Sequence, residues 1–187
     1  MKSQERITTI EMEECLARYF NYRKNVIVPN VSWGFYIHEC DLLVMTKAGY
    51  LSEVEIKISK ADLKKDQNKN HQHNDSHNRI KELWFAIPEY LQDSIDLIPG
   101  RAGVIIVSKY WAKSYYWQGE KLITTARTLR QAKVNHKAEK LYGNEKFILA
   151  RLGALRIWSL KKKLIENRNK KAKKIKKDQQ QLVLQYS

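Results

Sequence analysis

Apolar residues recur at near-helical intervals over residues 5–22, which predicts an amphipathic first helix. A short strand is predicted at residues 26–28, and a longer strand through residues 35–46. Gly49 marks a hairpin turn, so residues 51–59 are predicted to return as the partner strand. The chain is therefore expected to begin with a helix and three strands.

Further patterns follow the predicted hairpin. Residues 60–67 have a helical pattern, whereas the Asn- and His-rich residues 68–78 have no apolar period and are predicted to be a loop. Residues 83–87 and 102–107 are continuous apolar runs, which are typical of strands buried on both faces of a sheet. Residues 111–117 predict a further strand.

The last third of the chain is predicted to be helical from about Thr124 to near Lys177, with a break at Gly143. The apolar positions expected to dock it are Leu149, Leu152, Leu155, Ile157, Trp158 and Leu160. We predict one domain over residues 1–160 and a basic C-terminal tail over residues 161–187 that frays or projects. This order of elements predicts an α/β sandwich around a mixed central sheet, with appended C-terminal helices.

Positive charge is concentrated near the C-terminal end. Lys and Arg number 35 against 20 acidic residues, a net charge of +15, and residues 161–177 alone hold nine Lys, one Arg and one Glu, a net charge of +9. Such a segment predicts a polyanionic partner, most often nucleic acid, although a Lys-rich tail also suits a segment that only keeps the protein dissolved. The cations expected to contact DNA there are Lys161, Lys162, Lys163, Arg168, Lys170 and Lys171.

Other features argue against a membrane or exported protein. The sequence has no run of about 18 apolar residues, and residues 161–177 contain no Trp or Phe that could insert into a lipid surface. The first residues lack the apolar core of a signal peptide. Cys15 and Cys40 lie among apolar residues, as reduced core thiols do. We expect a cytoplasmic protein of a bacterium or a phage-infected cell.

Charged and apolar side chains alternate over residues 53–58, so Glu53, Glu55 and Lys57 point to one face of their strand. The hairpin brings Asp41 close to Glu55. Two adjacent carboxylates repel unless a cation lies between them, and such ligands suit Mg²⁺ or Mn²⁺. Lys57 could then orient or deprotonate a water that attacks phosphorus, or stabilise charge on the phosphate. The same alternation is also common on solvated hairpins.

The residues after this strand add candidate phosphate contacts. Ser59 is predicted to cap the following helix together with Asp62. The lysines expected to line a DNA path are Lys60, Lys64, Lys65 and Lys69. His71, His73 and His77 are either a zinc site or, as we favour, part of a polar loop in which His71 and His73 contact phosphates.

The order of these motifs resembles a known group of nucleases. Asp41, followed after a Gly-containing hairpin by Glu55-x-Lys57, is similar to the active-site pattern of the PD-(D/E)XK nuclease superfamily. The similarity covers roughly residues 8–110 and leaves the tail outside. Its later segments are Glu53–Asp66, Trp84–Pro88, Ile98-Pro99 and Ala102–Val107, in the order of the branch that contains MmcB-like DNA-repair proteins and related phage or bacterial proteins.

The resemblance implies a restriction-endonuclease-like αβββαβ core. It implies Asp41 and Glu55 as metal ligands, with the backbone carbonyl oxygen of Ile56 as a further ligand, and Lys57 as the catalytic lysine. Cys40 stands where many members have proline, a position that varies widely in the superfamily.

Many members also carry an acid on the first helix. We choose Glu14 because it shares the stripe of Ile7 and Ile10, with Glu11 nearly as suitable and a solvated acid as the alternative. The predicted function is a Mg²⁺- or Mn²⁺-dependent DNA phosphodiesterase in repair, recombination or phage DNA processing. A DNA-binding accessory protein that keeps the fold is the main alternative, and a module whose basic helix binds acidic protein or RNA is another. Superfamily members often pair to cut both strands, which leaves a homodimer open.

Overall fold

The structure, a computed structural model, describes residues 6–31, 37, 39–67, 79–113 and 119–185, and of residues 67, 174 and 176–185 it describes the backbone alone. Helices and strands follow one another along these residues in the order α1 (Thr9–Tyr19), β1 (Val26–Val31), β2 (Cys40–Met45), β3 (Leu51–Ile56), α2 (Lys60–Gln67), β4 (Ile80–Pro88), a 3-10 segment (Glu89–Leu97), β5 (Gly103–Lys113), β6 (Glu120–Arg130) and α3 (Gly143–Gln185).

The described strands form a six-stranded mixed sheet in the order β1-β2-β3-β4-β5-β6. Strands β1, β2 and β3 are antiparallel neighbours, β3 and β4 are parallel, β4 and β5 are parallel, and β6 returns antiparallel to β5. A parallel neighbour needs a crossover connection, which α2 and the 3-10 segment supply. The predicted α/β class and mixed central sheet are confirmed.

Helices pack on both faces of the sheet. On one face α1 buries its apolar side in a cluster that includes Met12, Leu16, Leu42, Val54, Trp84 and Ile105. On the other face α3 packs over the first three strands in a cluster that includes Val28, Leu43, Leu51, Leu141 and Leu149. Beside it, α2 and the 3-10 segment cover β4 and β5 in a cluster that includes Leu63, Phe85, Leu91 and Ile106. The two continuous apolar runs are therefore buried from both sides, as predicted.

Local sequence sets the turns around β3. Gly49 has a φ of +95°, which only glycine adopts without strain, and a Cβ atom there would lie 2.8 Å from the Leu141 carbonyl oxygen. After the strand, Ser59 Oγ accepts the N–H of Asp62 at 3.1 Å and begins α2, which confirms the predicted cap. The hairpin and the helix that flank the candidate site are thus specified locally.

The prediction of helix from Thr124 onward is wrong for its first part. Residues 120–130 form the edge strand β6, whose pairing with β5 outweighs a weak helical pattern. The predicted break at Gly143 is where α3 begins, and α3 continues as one helix through the predicted domain boundary at residues 160–161. That boundary stays a prediction. None of the described helices is both long and apolar enough to span a bilayer.

Candidate active site

The β2–β3 hairpin places Asp41 opposite Glu55. Leu42 pairs with Val54 in the antiparallel register, so the next position outward sets Asp41 against Glu55. The backbone N–H of Ile56 donates to Asp41 Oδ2 at 2.7 Å and holds this carboxylate at the end of β3. The structure therefore brings the two predicted metal ligands together.

Lys57 lies between two buried acids. Its Nζ is 2.5 Å from Glu55 Oε2 and 3.0 Å from Asp66 Oδ1. Glu55, Lys57 and Asp66 are each no more than 7% exposed. Taking such charges out of water is costly unless they are paired, so the two ion pairs hold the lysine in one position. Lys57 is thus an interior residue, and the alternative of a solvated hairpin face does not apply to it.

Asp66 is a site residue that the sequence analysis missed. It lies on α2 three residues after Leu63, which is buried, so both side chains share the inward face of the helix. An acidic residue at helical spacing from a buried leucine is the signal that could have found it. The sequence alone assigns Asp66 no partner, because its partner Lys57 directly follows β3 and lies outside α2.

The acidic side chains around Lys57 lie close enough together to shift one another's pKa values. Burial raises the pKa of Glu55, and Asp41 raises it further, against the opposing effect of Lys57. Burial alone would lower the pKa of Lys57, but Glu55 and Asp66 outweigh it and raise that pKa. Burial, with Glu53 and Glu55 nearby, raises the pKa of the Cys40 thiol. A cation bound among these acids would relieve their repulsion.

Glu13 is the first-helix acid whose pKa is affected by Asp41. Burial raises its pKa, and Asp41 raises it as well, while a hydrogen bond with the Asn30 side chain lowers it. Asn30 lies beside Asp41, because the neighbouring pairs in the register are Pro29 with Leu42 and Val31 with Cys40. Glu13 therefore lies on the side of α1 toward Asn30, close enough to Asp41 for the two charges to interact.

Glu14, the predicted first-helix acid, lies in a surface ion pair, and its role in the site stays a prediction. Glu14 Oε1 pairs with Arg18 at 2.7 Å on the surface, and Arg18 in turn contacts Thr124 of β6, at the far edge of the sheet from β1. Successive helical residues point about 100° apart, so Glu13 and Glu14 take different flanks of α1. Glu11 is also engaged elsewhere, because it caps α1 at Thr8 and pairs with Lys109 at 2.8 Å.

The predicted DNA contacts fall into three groups. Lys60, Lys64 and Lys65 are exposed on α2, next to the site. The six predicted cations of α3 are also exposed: Lys161, Lys162, Lys163, Arg168, Lys170 and Lys171. Three further residues, Lys69, His71 and His73, lie outside the described residues, as does His77 of the alternative zinc site.

The acids fit a divalent cation only as a two-carboxylate set. Among the residues that the structure describes, no three His, Cys, Asp or Glu side chains are grouped so that they could hold a metal ion. Mg²⁺ is usually held by one or two protein carboxylates with waters completing its shell, and Asp41 and Glu55 supply two. The carbonyl oxygen of Ile56 as a further ligand stays a prediction.

Comparison with known proteins adds information on the fold. No family model matches the chain, and no curated protein matches it either. Its fold is similar to that of a protein of unknown function from Silicibacter pomeroyi, with a TM-score of 0.50 and 18% sequence identity over 83% of this chain and 90% of the other. At this identity the likeness is one of fold alone.

Proposed function

We propose that this protein is a metal-dependent phosphodiesterase that acts on DNA and belongs to the PD-(D/E)XK nuclease superfamily. The observation that carries the proposal is the opposed pair Asp41 and Glu55 with Lys57 Nζ 2.5 Å from Glu55. The order of the first six described elements, α-β-β-β-α-β, supports the same assignment.

Asp41 and Glu55 would hold the Mg²⁺ or Mn²⁺ ion. Once bound, such an ion lowers the pKa of a coordinated water and neutralises charge on the phosphate. Asp41 is positioned for this role by the Ile56 N–H, which fixes one of its oxygens. Glu13, when ionised, would add negative charge near Asp41 from the side of α1.

Lys57 would act as a cationic hydrogen-bond donor to the phosphate. In hydrolysis a water molecule loses a proton as its oxygen bonds to phosphorus, and the ester oxygen leaves with the bonding electrons and takes up a proton. Negative charge grows on the phosphate oxygens during this step, and a donor already fixed in place stabilises it without reorganisation. Glu55 and Asp66 fix Lys57 in this way.

The exposed lysines of α2 and α3 would supply affinity without sequence preference. Each phosphate contact on duplex DNA releases a counterion, so the logarithm of the binding constant should fall with the logarithm of salt at a slope of about −0.9 per contact. Binding that does not change between low and moderate salt would contradict this part of the proposal.

One observation favours the alternative of a DNA-binding accessory protein. Lys57 already neutralises Glu55, so the fold balances part of its buried negative charge without a metal. In that case the protein would bind DNA with the same salt dependence and cut none.

The deciding experiment is cleavage of duplex, single-stranded and branched DNA with Mg²⁺ or Mn²⁺. We would compare wild type with Asp41→Asn, whose amide oxygen can still accept the Ile56 N–H, and with Lys57→Ala. Asp93→Asn, an exposed acid on the 3-10 segment, is the matched control. The proposal expects metal-dependent cutting by wild type and Asp93→Asn but not by the two site variants. Cutting that survives Asp41→Asn, or binding without cutting by wild type, would overturn it.

A further inference from the structure

The long helix α3 leaves the domain beside the candidate site. It follows β1 in the direction of that strand: a Cβ atom on Gly153 would lie 3.4 Å from Val28 Cγ2, and Arg156 Nη2 donates to the Asn30 carbonyl oxygen at 2.5 Å. Asn30 is the residue of β1 that lies beside Asp41. Arg156 therefore anchors α3 at the end of the sheet where the acids are.

The same helix lies on the face of the sheet that carries Glu55. Leu149 of α3 and Leu51 of β3 belong to one buried cluster. Side chains alternate along a strand, so Glu53 and Glu55 share the face of Leu51. The helix α3 thus lies on the face of the sheet that carries Glu55 and reaches the end of the sheet that carries Asp41. We infer from these two facts that α3 leaves the domain next to the acidic site.

Beyond Arg156 the helix projects from the domain. Every side chain from residue 157 to residue 173 is exposed, and we call residues 157–173 the projecting segment. It holds seven cationic residues and one acidic residue. At a rise of 1.5 Å per residue it is about 25 Å long. That length matches about 7 base pairs of duplex DNA at 3.4 Å each.

Resting on the proposed function, we propose that the projecting segment is the docking surface for one duplex arm of the DNA substrate. It holds the phosphate backbone on one side of the bond to be cut, starting at Arg156 and running outward along α3. Cations near Arg156 then contact phosphates close to the bond to be cut, and cations at the far end of the segment contact phosphates farther along the same duplex arm. The footprint on that side of the site has a length set by the helix.

The positive charge of the projecting segment favours DNA as its partner over a second copy of the chain. Two projecting segments placed side by side would bring seven cations against seven, with one acid each to offset them. The exposed apolar side chains Ile157, Leu160 and Leu164 stand at i, i+3 and i+7 on one flank of the helix. Trp158 and Ile165 lie about 100° to one side of them. This stripe spans only about two turns, which is shorter than the three to four apolar heptads that a coiled-coil pair of helices needs. The Trp158 ring already has Lys161 Nζ at 4.8 Å from its centre.

Two variants with equal charge change test the proposal on the full-length protein. The near variant replaces Lys161, Lys162, Lys163 and Arg168 with Gln, a residue that keeps helix propensity. The far variant replaces the last four cationic residues of the sequence, Lys173, Lys174, Lys176 and Lys177, with Gln. We would saturate a long random-sequence duplex in EDTA at low salt, which gives the number of base pairs covered by each protein, and measure the salt slope of binding.

We expect both variants to bind less tightly and to show similar reductions in salt slope. Only the far variant should cover less DNA, by about 3 base pairs, because its last remaining cation is Lys171, six residues and about 9 Å of helix before Lys177. The proposal would be overturned if wild type and both variants covered the same number of base pairs. It would also be overturned if wild type sedimented as a dimer and the variants dimerised more tightly. Failure to bind duplex at low salt would overturn it too.

This experiment needs no cleavage, so its failure differs from failure of the proposed function. If wild type cuts DNA with a metal but all three proteins cover the same number of base pairs, the docking proposal is wrong and the proposed function stands. Shorter coverage by the far variant without any cutting would keep the docking surface and point to the accessory protein.

Discussion

Glu13 and Glu14 are neighbours in sequence but point toward different edges of the sheet, Glu13 toward β1 and Glu14 toward β6. The pKa of Glu13 is affected by Asn30 and Asp41, on the side of the sheet where β1 lies, whereas Glu14 pairs with Arg18 at the surface. Two acids of the same helix therefore form a natural pair of test and control. The difference follows from the helix repeat, which turns each residue by about 100° from the one before it.

Replacing Glu13 with Gln should lower kcat of DNA cleavage by about 10- to 100-fold, the usual effect of losing a group that supports metal ligands. Glu14→Gln should leave kcat within about twofold and remove only a surface ion pair worth about 0.3–0.5 kcal/mol. The measurement is single-turnover cleavage at saturating Mg²⁺ for both variants. An equal fall in kcat in the two variants would mean that Glu13 has no special role in the site.

Divalent metal should stabilise the folded protein through Asp41 and Glu55. A ligand that binds only the folded state at 100 times its Kd adds about 2.7 kcal/mol to the free energy of unfolding. We expect Mn²⁺ to raise Tm of wild type in thermal scans, with little effect on Asp41→Asn and the full effect on Asp93→Asn. An equal rise in all three proteins would mean that the ion binds outside this site.

Much of the fold follows from local sequence. The Gly49 turn, the Ser59 cap and the two continuous apolar runs specify their elements without help from distant residues. Strand β6 does not, because the burial of its side chains is intermediate or low and its structure depends on pairing with β5. A strand of that kind carries little signal in its own residues.

The candidate site divides in the same way. Asp41, Glu55 and Lys57 lie within one hairpin, so strand alternation and the turn are enough to predict that they meet. Asp66 and Glu13 come from two helices that pack on opposite faces, and their arrival at the site depends on tertiary packing. The exit of α3 beside Asn30 likewise depends on contacts separated by more than a hundred residues.

Glu55 should make stability depend on pH in a stated direction. Its pKa is raised in the folded protein above the ordinary value of 4.5, so the folded state holds the proton more tightly than the unfolded chain. As pH rises from 4.5 through the folded-state pKa, the folded state therefore loses stability. The Glu55→Gln variant lacks this loss, so its Tm should rise relative to wild type over that interval. Thermal scans in EDTA test this, and parallel Tm curves for the two proteins would contradict the assignment.

Gly103 should tolerate no side chain, because the ring of Trp84 on the neighbouring strand β4 lies against it. A Cβ atom at Gly103 would lie 2.3 Å from Trp84 Cε3 and 2.8 Å from the backbone nitrogen of Ala132. Overpacking of this kind costs about 1–3 kcal/mol, and the backbone contact places Gly103→Ala at the upper end, a fall in Tm of about 6–12 °C. Gly100→Ala is the control, since nothing lies within 4 Å of its added atom. Thermal unfolding compares the two, and an unchanged Tm for Gly103→Ala would show that Trp84 can move away from β5.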